Sequence, residues 1–319
     1  MKQERIRMLE EKLPGIRRMN TICGWLVAHM FIQLLFFIVE LTTDENTRLI
    51  EYRNTNDLVT RFFICISPIF MLVVILLCIT SSQSYSIKSE LKNMYILEAI
   101  EKQGLQPLEY SAEGFSENEI KSLDLFRMGN RFSSCDKVSF VYNDMRITRG
   151  DVYIAREETK TRTVTDSDGK TKEETYTETT VYFSGTVYIF GKGYPHIAQV
   201  NVQTNSFEGT MRAGKAIKMD NVQFNKKMKV RTKDELDAFR LLKPQNMENF
   251  LQLWDQRKHA FGIGVRESIT IIAENRKGRS FVLDNADFMN GIDESKVIEK
   301  LSRNCLDFMT FYDALLKIQ

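Results

Sequence analysis

Two apolar runs near the N-terminus leave this chain little choice of environment. Ile22–Leu41 reads ICGWLVAHMFIQLLFFIVEL, with no charge before Glu40, and Phe62–Ile79 reads FFICISPIFMLVVILLCI, with no charge at all. At about 1.5 Å of rise per residue, each run is close to the roughly 30 Å hydrocarbon thickness of a bilayer. A soluble core helix of that length carries a polar face, and neither run has a charged one. A cleaved leader is not expected either, because Val39-Glu40-Leu41 lacks a small-x-small cleavage pattern. The sequence therefore predicts transmembrane helices over 22–41 and 62–79, preceded by a basic segment 1–21 and joined by a loop 42–61.

Orientation follows from the lysine and arginine bias. Lys2, Arg5, Arg7, Lys12, Arg17 and Arg18 precede the first run, whereas Arg48, Arg53 and Arg61 of the loop lie amid Glu40, Asp44, Glu45, Glu51 and Asp57. Positive flanks stay on the cytoplasmic side. The expected arrangement is a multi-pass inner (cytoplasmic) membrane protein whose N-terminus and C-terminal domain are both cytoplasmic and whose loop is outside. Lipid offers no hydrogen bonds to polar groups within a span. Trp25, His29 and Gln33 recur every four residues on one helical face, and antiparallel packing brings Gln33 to the depth of Ser67. His29, Gln33 and Ser67 are thus candidates for an interhelical polar contact that holds the two spans together.

The remainder is soluble in character. A juxtamembrane helix is expected within 80–104, where Ile87, Leu91, Met94 and Tyr95 recur at helical steps before Gly104. Glu117–Phe126 reads as a short helix capped by Ser116. Strands are expected at 137–143, 151–157, 181–190, 196–203, 216–219, 261–265, 268–273 and 279–283, where β-branched and aromatic residues cluster between turn signals. Helices are expected at 233–242, at 244–257 with Pro244 in the first turn, and at 295–317. Strands and helices are segregated, so the fold class is α+β: two transmembrane helices, then a mixed, largely antiparallel sheet in a domain spanning 105–319, with C-terminal helices. Residues 156–180 are almost purely polar around Asp168-Gly169, the chemistry of a tight turn. Between Thr159 and Thr175 the only apolar side chain is Val164, so neither face suits a core. A protruding hairpin is expected, with Arg162 facing Glu173 if a four-residue loop closes it.

One stretch carries a family likeness. Phe224, Asn225, Val230, Asp234, Ala238, Leu241, Leu242 and Pro244 form an FN-x-x-F-x-V, Asp, Ala-x-x-Leu-Leu, Pro pattern, with Met228 where an aromatic belongs. With the two early apolar helices and strand-rich middle, the chain resembles a bacterial membrane-protein family known as domain of unknown function 3137. The resemblance implies a bacterial cell-membrane location and brings no reaction or ligand residues.

No constellation of catalytic chemistry emerges. His29 lies in a span, and His196 and His259 stand apart from any cysteine or carboxylate at ligand spacing. Of five cysteines, Cys23, Cys65 and Cys78 lie in the apolar runs, while Cys135 and Cys305 are far apart in the sequence, which is neither a disulfide framework nor a zinc pattern. Gly209 to Lys215 has the spacing of a phosphate-binding loop, but Ala216 replaces the magnesium-binding hydroxyl and a strand follows where a helix is needed. A net charge of only +2 gives no global field for nucleic acid. The sequence thus predicts no catalytic, cofactor-binding or metal site. It points to a non-catalytic, membrane-anchored interaction or scaffold protein, with the lipid bilayer and an unidentified protein as partners and no nucleic acid. The alternatives are an enzyme with a dispersed active site and a small-molecule or lipid sensor.

Overall fold

The computed structural model describes residues 2–42, 55–165, 171–207, 214–257, 259–276, 278 and 280–318, with side chains at 36, 40–42, 55–67 and 165 outside the description. The chain divides into two compact units, Met1–Met94 with Leu283–Val297, and Tyr95–Val282 with Ile298–Gln319.

The first unit is built on two long helices, α1 (Lys2–Thr42) and most of α2 (Thr55–Glu101). Each apolar run continues without a break into a charged extension. Leu9, Leu13, Ile16 and Cys23 are buried on α1, and Val73, Thr80, Ser84, Ile87 and Leu91 on α2. These spacings of three, four and seven mark the seam of a packed helix pair. Arg5 on α1 reaches Glu90 on α2 at 3.6 Å, so the helices run antiparallel. Along the apolar stretches the pattern inverts: only 6% of the most apolar part of α1 and 17% of that of α2 is buried. Both helices are long and apolar enough to cross a membrane.

The second unit is α+β, as expected. One open sheet of nine strands runs β1 (Gln106–Ser111), β2 (Arg131–Tyr142), β3 (Met145–Thr165), β4 (Thr171–Phe190), β9 (Thr270–Asn275), β8 (Phe261–Val265), β5 (Val200–Thr204), β7 (Met228–Thr232) and β6 (Lys215–Ile217) in spatial order. Every neighbouring pair is antiparallel. Asn143 and Asp144 make the two-residue turn between β2 and β3, both at positive φ, as a primed hairpin turn requires.

Alternation along the strands gives the sheet two covered faces. On one, Val152, Ile154, Phe183, Val187, Ile271 and Ala273 pack with Phe115, Leu125, Phe126 and Phe207. The short helix α3 (Glu117–Ser122) lies in that cover. It is fixed by a reciprocal capping box between Ser116 and Glu119. On the other face, α8 (Met309–Lys317) sets Phe311 against Tyr188 and Phe261, each at 5.8 Å between ring centroids.

Several expectations need correction. Ser280–Leu283 is irregular and pairs in no strand, because its backbone and hydroxyl turn inward to a buried carboxylate described below. The single C-terminal helix is two, α7 (Glu294–Ser302) and α8, separated by turns around Asn304, whose carbonyl and amide bond to the sheet side and not to a helical ladder. The strand expected at 196–203 begins only at Val200, after a turn in which His196 has φ +70°. Strands β1 and β7 and the helix α4 (Val222–Lys227) were not expected. The helices α5 (Glu235–Leu241) and α6 (Pro244–Gln256) lie where the pattern placed them.

From 158 to 181 every described side chain of β3 and β4 is exposed. The two strands pair with each other to Thr165↔Thr171. This register sets Arg162 opposite Glu174, at 2.6 Å, and not opposite Glu173, which faces Thr163. Asp168-Gly169 lies outside the described residues. One face is a ladder of Thr159/Thr177 and Thr161/Thr175 pairs, and the other carries the Lys160–Glu178 and Arg162–Glu174 ion pairs. Exposed pairs of this kind are screened by water and add little to stability. Replacing Lys160–Lys172 by a short Gly-containing turn is therefore expected to change stability by no more than about 1 kcal/mol. Denaturant unfolding checks this, and a large loss of stability would make the arm part of the core.

Candidate functional site

The densest polar chemistry of the second unit lies on the sheet face beneath α8. Asp151, Thr186 and Glu274 are cross-strand neighbours in one row over β3, β4 and β9, and Arg149 and Tyr188 stand opposite each other in the next. All five side chains are buried. Asp151 Oδ1 accepts from the hydroxyls of Thr186 at 2.8 Å and Ser280 at 2.6 Å, and its Oδ2 accepts from the Ser280 backbone N–H at 2.5 Å. The Arg257 guanidinium donates to Glu274 through Nε at 2.9 Å and through Nη2, and Arg276 pairs with Asp307. Arg149, with no exposed surface, donates to the carbonyl of Asn304 at 2.5 Å and lies over the rings of Phe281 and Tyr188 at 4.7 and 5.3 Å. Two of the three guanidinium groups thus pair with carboxylates, Arg149 is held by a backbone carbonyl and two rings, and Asp151 is met by hydroxyl and backbone donors.

Burial sets the titration of this seam. It pushes the Tyr188 phenol up to about 12, with Arg149 pulling the other way, and the Cys305 thiol up to about 11. Both groups stay neutral over the working range, so neither is primed as a nucleophile or base.

Beside the seam, Ser133, Ser134, Cys135, Asp151, Ser184 and Gly185 line a cavity of ≈ 310 Å³. Here Cys135, Asp136 and Asp151 bring one ligand atom each within 4.8 Å of one another. A bulge in β2 between Cys135 and Val138, with Asp136 at φ +57°, makes the approach possible. The fit to a metal is poor, because Asp151 already accepts three hydrogen bonds and Asp136 accepts one from the Tyr110 hydroxyl at 2.7 Å. A cation would have to displace these donors. Sequence reasoning did not bring Cys135 near Asp151; only the bulge does.

The residues of the family-like pattern take structural places. Phe224 is fully buried in α4 and meets Phe250 of α6. The Asn225 side chain clasps the backbone of Met219 through both its amide atoms. Val230 is a buried position of β7, Asp234 caps α5 by accepting from the Leu236 N–H at 2.9 Å, and Pro244 opens α6. Ala238, Leu241 and Leu242 are buried on or beside α5. In the first unit, Gln33 Nε2 meets His29 Nε2 at 3.0 Å, one turn away on the same helix. The Ser67 side chain lies outside the described residues, as do 208–213, which hold most of the phosphate-loop-like stretch. His196 and His259 are exposed.

Two predictions follow from the seam's bonding. Glu274→Ala strands the guanidinium of Arg257, which is itself only 15% exposed, and is expected to cost about 3–5 kcal/mol in denaturant unfolding. For Tyr188, the folded state keeps the phenol proton up to about 12, whereas the unfolded chain releases it near the ordinary value of about 10. Its contribution is complete below pH about 10 and is lost as pH rises toward 12. Because no acceptor for its hydroxyl exists among the described residues, Tyr188→Phe is expected to be nearly neutral at pH 7 and to flatten that alkaline loss. An unchanged alkaline profile would exclude Tyr188 as its source.

Against known proteins, residues 176–311 match the family described as Protein of unknown function (DUF3137). No curated protein matches the sequence. One solved structure, the mycobacterial trehalose monomycolate transport factor A, TtfA, is similar over 70% of this chain and 94% of its own, at 10% identity and a TM-score of 0.36. A similarity that slight does not establish a shared fold. The family match runs from the arm of β4 to α8 and covers less than half of the chain, and the family it is similar to is one of unknown function.

Proposed function

We propose that α1 and α2 each cross a bacterial cell membrane and that the chain is a non-enzymatic anchored platform, whose sheet domain is presented to a protein partner in the cytoplasm. The observation that carries the anchoring is the inversion along α1. Its charged N-terminal part buries a seam, yet Trp25, Phe31 and Ile32 are 74%, 62% and 64% exposed. An apolar surface of that size is stable only against lipid or another apolar partner. The basic residues 2–18 favour a cytoplasmic N-terminus, and two crossings return the chain to the same side.

The non-enzymatic reading is supported by the seam, where the buried carboxylates Asp151 and Glu274 and the half-buried Asp307 are each held by a structural partner. A general base needs its carboxylate directed at a substrate. The β3–β4 arm supports a docking role, since it projects a long, fully exposed ribbon that no core requires.

Topology is tested with single cysteines in intact cells. A membrane-impermeant thiol reagent is expected to label a probe at Asn54 and to miss one at Asp168 unless the cells are opened. Labelling at Asp168 in intact cells would place the sheet domain outside.

A further inference from the structure

The end of the sheet opposite the arm carries charge of a different kind. Residues 215–233 hold seven lysines and arginines against the single acid Asp220, in a chain whose net charge is only +2. Lys227 and Lys233 are paired with Asp255 and Asp124. Lys218 and Lys229 are exposed and have no carboxylate partner among the described residues. The register places Arg231 of β7 between Ala216 of β6 and Asn201 of β5. Lys218 directly follows the last residue of β6, and Lys229 of β7 lies opposite Gln203 of β5. Side chains directly opposite one another share a face, so Arg231 and Asn201 present themselves together with Lys229, two residues along β7, and Lys218 follows the end of the neighbouring edge strand.

Two donors on this face are buried without an acceptor among the described residues, Arg231 Nε and Asn201 Nδ2. Asn201 has no exposed surface, and its Oδ1 is taken by Arg266 Nη1 at 3.0 Å, which turns its N–H groups away from Arg266. The Arg231 Nη2 group is fixed on the carbonyl of Gly214 at 2.9 Å, so the guanidinium is held and not swinging in solvent. A held guanidinium, a buried amide donor and two unneutralised ammonium groups suit an anion with several acceptor oxygens and more than one negative charge. A monovalent carboxylate would leave most of that charge uncompensated.

We propose that the β5–β7–β6 end of the sheet binds a phosphoryl group, held by Arg231 and Asn201 and flanked by Lys218 and Lys229. The ligand is a soluble phosphate ester or a phospholipid headgroup, which offer the same oxygens. This site goes beyond the anchored-platform reading and stands whether or not α1 and α2 span a membrane.

The test uses the full chain in detergent, titrated with inorganic phosphate at constant ionic strength made up with chloride. Phosphate is expected to raise the thermal midpoint of the sheet domain by mass action. Arg231→Gln is expected to weaken the phosphate affinity about tenfold, the loss of one charge-assisted contact, and Lys160→Gln on the arm to leave it unchanged. If Arg231→Gln does not fold, the exposed pair Lys218→Gln with Lys229→Gln serves instead and is expected to weaken binding in the same direction. Repeating the titration in bilayer discs separates the sources. A phosphate shift present in phosphatidylcholine discs and suppressed in phosphatidylglycerol discs assigns the headgroup, and one equal in both assigns a soluble ester. The proposal fails if wild type shows no phosphate-specific shift, or if the substituted proteins keep it in full.

Discussion

Asp151 lies in the middle strands of a nine-stranded sheet, under a helix, where an ionised carboxylate is stable only if its lone pairs are met. They are met from β4 by Thr186 and from beyond β9 by both the backbone and hydroxyl of Ser280. That requirement explains a chain of consequences. Ser280 cannot join a strand, because its N–H is committed to the carboxylate. Its carbonyl is then free to accept from Asn304, and Asn304 in turn offers its own carbonyl to Arg149. The turn that splits the C-terminal helix sits there, so α8 can lie across Tyr188 and Phe261 while α7 ends at Ser302. A single buried charge thereby sets where the last two helices divide.

The same seam bears on what the domain does. Buried ion pairs gain little over well-packed apolar residues, yet losing one partner is costly. The clustering of Arg149, Arg257 and Arg276 with Asp151, Glu274 and Asp307 therefore commits the sheet to one register and one helix placement. Cys305 and Tyr188 lie within this network with their protons held tightly by burial. Groups that have been made hard to ionise are not primed for proton transfer near neutral pH.

The fold class and most helices were legible because their signals are local. Pro244 and the caps at Ser116 and Asp234 mark helix starts, and the polar stretch around Asp168 marks an arm. β7 was equally available, since Met228, Val230 and Thr232 alternate with Lys229 and Arg231 as buried and less buried positions, but the lysine-rich run masked the period. Ser280–Leu283 failed for the opposite reason: its apolar, β-branched composition is genuine, and only a long-range bond to Asp151 keeps it out of the sheet. The meeting of Cys135 with Asp151 depends on a bulge that no composition announces. The family-like pattern was recognisable as a pattern, and its residues proved to be caps, clasps and core positions around α4, α5 and α6.

Charge is distributed in three distinct ways along one sheet. In the central seam Arg257 pairs with Glu274 and Arg276 with Asp307 while Arg149 rests on a carbonyl and two rings, and on the arm cations and carboxylates pair across strands in water at little energy. At the β6–β7 end Lys227 and Lys233 pair with Asp255 and Asp124, but Lys218 and Lys229 have no carboxylate partner among the described residues. Lysines on an edge strand discourage accidental pairing with another sheet, and that accounts for Lys215 on β6 and Lys218 just after it. It does not account for Arg231 and Asn201, which lie one and two strands in from the edge. An interior guanidinium and an interior amide whose donors meet no acceptor among the described residues do nothing to protect an edge, and each carries a desolvation penalty of about 1–3 kcal/mol. Such a penalty persists where a ligand relieves it, and a polyoxygen anion meets both donors and the lysines beside them at once.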